Sequence, residues 1–305
     1  MKIIYGVHAI RRYPRPVVAL GVFDGVHRGH RLILSQAVAK AKDIKGTSVV
    51  VTFSPHPQKQ QSIYSLDHRL RILAQIGIDV CVVIGFTRAF SNVTAENFVR
   101  DILVRKLGSA YIYIGKNFRF GKGASGSVRL LKKLSPSLKF GLKAFGVKKF
   151  RSRNISSTAI RRLIASGRLV QAQRLLSRRV SVFGTVVKGV SLAARLGFPT
   201  ANIDPHHEVL PPPGVYAVEV ILGTKRLRGV CNIGFRPAFA RRRASDTDLR
   251  VEVHIFDFKK NIYGRFLEVQ FVKYMRPEKR FTGPETLAAQ IKKDVQTARN
   301  YFSRH

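Results

Sequence analysis

Pro16-Val17-Val18-Ala19-Leu20-Gly21-Val22-Phe23-Asp24-Gly25-Val26-His27-Arg28-Gly29-His30 decides how the first half of the chain is read. Residues 16–23 are a short apolar run with the composition of a buried strand. A glycine-rich turn follows. From His30 to Ala41, Leu32, Ile33, Ala37 and Val38 recur at the spacing of a helix. A buried strand that feeds a glycine turn and a helix start suits a phosphate ligand. Glycine lets the backbone come close. The first turn of the helix offers free N–H groups and a partial positive charge. His27 and His30 add two imidazoles that can donate to phosphoryl oxygens as charge develops on them. The stretch therefore predicts phosphate and nucleotide chemistry, with His27 and His30 as the catalytic pair. Gly21, Phe23, Asp24, Gly25 and Gly29 are expected around the nucleotide.

Outward from this stretch, strand-like and helix-like segments alternate. Ser48–Phe53 is a second β-branched run, ending in the turn 54–57. Ser65–Ile76 reads as a helix capped by Ser65 or Asp67. Val80–Ile84 is a third strand, Thr94–Leu107 another helix and Tyr111–Ile114 a fourth strand. Apolar strands separated by helices predict a parallel sheet covered on both faces, with its site beyond the carboxyl ends of the strands. From Val180 the pattern changes. Strands at 181–187, 214–222, 228–233, 249–256 and 266–274 follow one another without intervening helices, as in a small antiparallel barrel. A terminal helix, Pro284–Phe302, carries Leu287, Ile291 and Val295 on one face. The expected organisation is a doubly wound α/β domain over 1–179, then a β-barrel domain with a terminal helix over 180–305.

Bulk properties narrow the setting. No run of about 18 apolar residues exists, which argues against a membrane span. The start of the chain lacks the features of a signal peptide. Cys81 and Cys231 each sit in an apolar run and read as buried free thiols, so the expected location is the cytoplasm. The 55 Lys and Arg against 17 Asp and Glu give a net charge of +38. From Ile102 to Ile203 there is no carboxylate against 22 basic residues. Such a field attracts anions. Polyphosphate substrates, nucleic acid and a generally basic proteome with solvated lysines are the three readings of it.

Gly21–His30 resembles the His-x-Gly-His motif of the adenylyltransferase superfamily, in the form found in bacterial FAD synthetases. Thr52-Phe53-Ser54-Pro55-His56-Pro57 is similar to that family's second loop. Ile114–Gly121 resembles its loop near the flavin and adenine, which implies Asn117 and Phe120 on the flavin side. Ser156-Ser157-Thr158-Ala159-Ile160-Arg161 is similar to its second phosphate motif. Ser157 and Thr158 hydroxyls can cap the helix and bind phosphate, and Arg161 supplies a fixed charge for departing pyrophosphate.

In the second half, Leu196-Gly197-Phe198-Pro199-Thr200-Ala201-Asn202 resembles the Gly-Phe-Pro-Thr-Ala-Asn motif of riboflavin kinases. The resemblance implies Gly197 and Pro199 beside ATP, and Thr200 and Asn202 as oxygen ligands to ATP-bound Mg2+. Val251–Phe258 resembles the kinase strand whose Glu removes the proton from the riboflavin 5′-hydroxyl, which implies Glu252 as base. Alternation puts Glu252, His254 and Phe256 on one face. Arg276 and the terminal helix would lie near the flavin. The resemblance runs from about Val18 to Tyr301. It implies a bifunctional enzyme that phosphorylates riboflavin with ATP and joins the FMN formed to AMP.

Three positions depart from the kinase pattern. Ala193-Ala194 stands where Gly-Arg is usual in a loop covering ATP phosphates. Ala238 replaces a frequent Thr, and Lys259-Lys260-Asn261 replaces a more acidic turn. A kinase half that has degenerated, leaving an FAD synthetase alone, is one alternative. A basic nucleic-acid-binding protein is another, although the two sets of motifs favour small-molecule substrates. The sequence carries no expectation of oligomeric state.

Overall fold

The computed structural model describes residues 1–55, 61–150, 153–189, 192–235 and 249–304. The expectations placed on His56, Pro57 and Ala238 lie outside these residues. The chain divides into two compact units, Met1–Ala159 and Ile160–His305.

The first unit is built on six strands: β1 (Lys2–Tyr5), β2 (Val17–Leu20), β3 (Ser48–Ser54), β4 (Val80–Gly85), β5 (Tyr111–Gly115) and β6 (Gly141–Phe145). They pair in the order β1-β4-β3-β2-β5-β6, all parallel. Helices α1 (Arg28–Asp43), α2 (Leu66–Ile76), the single-turn α3 (Arg88–Ser91) and α4 (Ala95–Asn97), and α5 (Val128–Leu138) lie between the strands. The segment expected as one helix from Thr94 is capped by the Thr94 side chain, then widens into a π-helix over Phe98–Lys106. Ser65, rather than Asp67, caps α2, its side chain accepting from His68 N–H at 3.3 Å.

Every residue of β2 is buried, as are the first six of β3. Val18, Leu20, Val49, Val51, Val82, Ile112 and Ile114 form one apolar core with Phe98 and Leu103. Burying each such side chain stabilises the fold by about 2 kcal/mol. From β2 the chain moves outward to β3 and β4, then returns to the other side of β2 for β5 and β6. The order therefore reverses between β2 and β5, and the crevice beyond their carboxyl ends is where this architecture binds ligands. A two-residue hairpin, β7 (Lys149–Phe150) with β8 (Arg153–Asn154), follows.

Helices α6 (Ser157–Ala165) and α7 (Leu169–Leu176) precede the second sheet. Its strands are β9 (Ser181–Val187), β10 (Ala201–Asp204), β11 (Gly214–Leu222), β12 (Lys225–Phe235), β13 (Leu249–Ile255) and β14 (Phe266–Arg276). They close antiparallel into a barrel in the order β10-β13-β12-β11-β14-β9. Closure removes both edges. One helical turn, α8 (Leu192–Arg195), interrupts the β9–β10 connection, and α9 (Pro284–Ser303) ends the chain.

The buried line of α9 is Asp294, Ala298 and Phe302, whereas Leu287, Ile291 and Val295 are half-buried. The reason is an ion pair. Arg276 at the end of β14 donates through Nη2 to Asp294 Oδ2 at 2.6 Å and through Nε to Oδ1 at 2.9 Å, which turns the acid inward. Arg228 Nη1 donates to Phe302 O at 3.2 Å and holds the other end of the helix.

Two candidate active sites

The loop after β2 has an unusual backbone. Phe23, Gly25 and Val26 all have positive φ, at 54°, 72° and 38°. Two buried side chains hold it there. Asp24 is 2% exposed, and its Oδ1 accepts from Ile63 N–H at 2.8 Å and Tyr64 N–H at 3.4 Å. Arg69 is 4% exposed and donates to Val22 O at 2.6 Å, Thr52 Oγ1 at 3.2 Å and Phe53 O at 3.3 Å. Its guanidinium thus ties together the carbonyl ends of β2 and β3. Burial lowers its pKa, opposed by the Asp24 charge. Sequence reasoning missed Arg69. The signal was present: Arg69, Ile72, Leu73 and Ile76 share one face of α2, so this cation sits in line with the apolar stripe.

His27 caps α1. Its Nδ1 accepts from His30 N–H at 3.3 Å, which puts the proton of a neutral ring on Nε2 and makes that nitrogen a donor. The two imidazoles stack, centroids 3.6 Å apart at 17°, and the Phe23 ring stands edge-on to His30 at 5.3 Å. A Cβ at Gly29 would lie 3.2 Å from the His27 ring, close enough that the ring would have to give by a few tenths of an ångström. Gly21 is similarly close to the Phe23 ring.

The second phosphate motif meets this loop. Ser157 Oγ donates to Asp24 O at 3.0 Å across 133 residues. The helix cap is Ser156, whose Oγ accepts from Ala159 N–H at 3.2 Å, rather than Ser157 or Thr158. The Ser157 hydroxyl is thereby left to hold the loop, and Thr158 is exposed. Arg161 follows Ser157 by one helical turn, at the spacing that shares a face. Asn117 is exposed in the turn after β5, whose last residues pair with β2 at the reversal point. Phe120 is buried against Phe98 at 5.7 Å, as a core contact beneath that turn.

In the barrel, register brings the second set together. Glu252 on β13 stands opposite Asn202 on β10 and opposite Asn232 on β12. Val251 and Val253 are buried, so these three polar residues share the other face of the strands. Burial raises the Glu252 pKa. The Arg250 charge opposes the rise and the Glu278 charge adds to it. A Cβ at Gly189 would collide with the Asn202 amide, so the chain passes this side chain closely. His254 Nδ1 lies 2.9 Å from Pro199 O and its ring meets Phe198 at 5.7 Å, which fixes the segment that carries Gly197, Pro199 and Thr200. Ala193 and Ala194 lie in α8, where their carbonyls accept from Phe198 and Gly197 N–H at 2.9 and 3.1 Å. Arg276 is committed to Asp294 and to Pro277 O.

Among the described residues no cluster of three His, Cys, Asp or Glu could cage a metal. Thr200 and Asn202 are hard oxygen donors too few for a cage. They fit a Mg2+ that takes its other ligands from ATP phosphates and water. A cavity of about 390 Å3 adjoins Thr200, and the turn Phe258–Tyr263 forms part of its wall. That turn was noted in the sequence only as a departure, because nothing in its own residues shows that it faces Pro199 and Thr200.

Residues 10–159 match the family model for FAD synthetase and residues 176–302 that for riboflavin kinase. The bifunctional riboflavin kinase/FMN adenylyltransferase of Escherichia coli K12 is 38% identical, over 99% of this chain and 98% of its own. That of Listeria monocytogenes is 35% identical, over 100% and 99%. A solved Streptococcus pneumoniae structure described as a macrolide-efflux protein has a TM-score of 0.80 at 27% identity, covering 98% of this chain and 99% of that one. The chain belongs to the bifunctional riboflavin kinase/FMN adenylyltransferase family.

Proposed function

We propose the following division of the two reactions among the residues, with ATP as co-substrate in both. In the first site the FMN phosphate attacks the α-phosphorus of ATP in line and pyrophosphate leaves. His27 and His30 donate to the phosphoryl oxygens as negative charge builds. Gly21, Phe23, Asp24, Gly25 and Gly29 shape the backbone around the nucleotide, with Asp24 acting through the loop it anchors. Ser157, Thr158 and Arg161 hold the departing phosphates. Asn117 meets the flavin, and Phe120 supports that turn from the core. The single observation that carries this reading is the Ser157 to Asp24 hydrogen bond at 3.0 Å, which joins two phosphate motifs far apart in sequence.

In the second site Glu252 takes the proton from the riboflavin 5′-hydroxyl as that oxygen attacks the ATP γ-phosphorus and ADP leaves. Thr200 and Asn202 would hold Mg2+, which, when bound with ATP, neutralises phosphate charge. Gly197 and Pro199 lie beside the nucleotide, and Arg276 sets the position of α9 at the flavin side. We place the domain boundary at 179/180, directly before the first barrel strand. A cytoplasmic location agrees with the two buried free thiols, Cys81 and Cys231, and no described helix is long and apolar enough to cross a membrane.

The test is an incubation with riboflavin, ATP and Mg2+ followed by separation of the flavins. FMN and FAD are expected together. FAD from added FMN without any product from riboflavin would overturn the second-site assignment, and no turnover of either flavin would overturn both.

A further inference from the structure

Arg69 carries a full charge where neutral donors would serve as ties. Its three acceptors, Val22 O at 2.6 Å, Thr52 Oγ1 at 3.2 Å and Phe53 O at 3.3 Å, are all uncharged. One neutral tie is already in place, because the Thr52 hydroxyl donates to Val22 O at 2.9 Å. Holding a cation at 4% exposure on such partners is costly. Its Nε is also buried and has no hydrogen-bond partner among the described residues. Two acidic groups bear on the charge. Asp24 favours the charged form, but its Oδ1 is committed to Ile63 and Tyr64 N–H. Cys81 on β4 is the other, and burial pushes its thiol up to about 12, so it adds no negative charge near neutral pH. The cation is therefore only partly compensated. It sits at the carboxyl ends of β2 and β3, against the residue that leads into the His loop. Val22 O and Phe53 O put partial negative charge there, beside the crevice. A guanidinium bonded to both cancels it, and a buried charge is screened less than a surface one.

We infer that the charge of Arg69 holds the ATP polyphosphate and the departing pyrophosphate during adenylyl transfer, as a positioning residue that acts from behind the His loop and not by contact. The inference rests on the assignment of Gly21–His30 to ATP. It assigns a function to the charge itself, beyond the ties that Arg69 makes to the two strand ends.

Full-length variants separate the charge from the ties. Arg69→Gln keeps a neutral donor, whereas Arg69→Lys keeps the charge and loses the fork. With FMN and varied ATP, Arg69→Gln should raise KM for ATP about tenfold and lower kcat for FAD formation about tenfold. Inorganic pyrophosphate should inhibit it about tenfold more weakly, by the same loss of charge. If Arg69→Gln loses the fold of the first unit by circular dichroism, Arg69→Met, whose apolar chain needs no partner, takes its place. Riboflavin phosphorylation should be unchanged. Arg69→Lys should restore KM and pyrophosphate inhibition to within about threefold of the wild type at about pH 6. Burial lowers a lysine pKa, so this rescue, taken as a ratio to the wild type, should fade as pH rises. A purely structural Arg69 would reduce the amount of folded protein and leave KM and pyrophosphate inhibition of the remainder as they were. That result, or a lysine variant as impaired as the neutral one even at about pH 6, overturns the inference. Failure of the wild-type chain to form FAD from FMN and ATP overturns the site assignment itself, and is told apart because it needs no variant.

Discussion

Glu252 has two requirements that conflict. As a base it must be ionised, yet burial and the nearby Glu278 charge favour its neutral form, with Arg250 opposing. A carboxylate so placed is a stronger base than an exposed one, which suits proton abstraction near neutral pH. The same placement costs stability. With the folded pKa raised, the native state binds the proton more tightly than the unfolded chain. The stabilisation is full below the unfolded pKa and is lost as pH rises through the folded pKa. Glu252→Gln should therefore lower riboflavin phosphorylation by about 100-fold or more while raising the thermal midpoint of the protein at neutral pH. The acid limb of the kinase pH profile should lie above the ordinary carboxylate range. Unaltered phosphorylation by the variant would remove Glu252 from the chemistry. A lowered midpoint would show that its carboxylate is stabilising.

Elements were legible in the sequence to the degree that burial made their pattern continuous. β2, β3 and β4 are apolar almost throughout and read as strands directly. β1 and β6 lie at the sheet edges, where Ile3 and Tyr5 face solvent and Lys143 interrupts the run, so neither showed a strand signal. β10 is four residues long and half polar, because Asn202 belongs to the proposed site and Asp204 is exposed. The widening of the helix after Asn97 leaves no trace in apolar spacing. The His loop was legible as a candidate phosphate site, but what holds it was not, since Ile63, Arg69 and Ser157 reach it from the segment before α2, from α2 and from α6. Gly25 concentrates this dependence. It sits at φ +72°, and a Cβ there would be 2.7 Å from Ile63 Cδ1. Gly25→Ala should destabilise the first unit by about 1–3 kcal/mol, read as a lowered urea midpoint, and should slow FAD formation beyond any loss of folded protein. A variant with normal rate and stability would mean that the loop tolerates another path.

At the scale of the whole molecule, composition and architecture contribute different things. The charge of +38 speeds the encounter of any anion with the surface, and ATP and FMN are both anions. Long-range attraction does not distinguish them, so the choice of reaction falls to the two sets of side chains. Apart from Arg161, which follows Ala159 on α6, the proposed residues of each set fall within one unit. The imidazole pair, Asp24, Arg69 and Ser157 belong to Met1–Ala159, and Thr200, Asn202, Asn232 and Glu252 belong to Ile160–His305. His27→Ala/His30→Ala should therefore stop FAD formation, with a loss of at least about 100-fold from removing two transition-state donors, while riboflavin is still converted to FMN at the wild-type rate. FMN should accumulate in an incubation where the wild-type chain carries it on to FAD. Replacement by Asn at both positions restores donors without the imidazole geometry and should recover only part of the second step. Equal loss of FMN and FAD formation in the alanine variant, in protein that keeps its fold by circular dichroism, would mean that the two reactions share residues, and the assignment of one site to each half would fail.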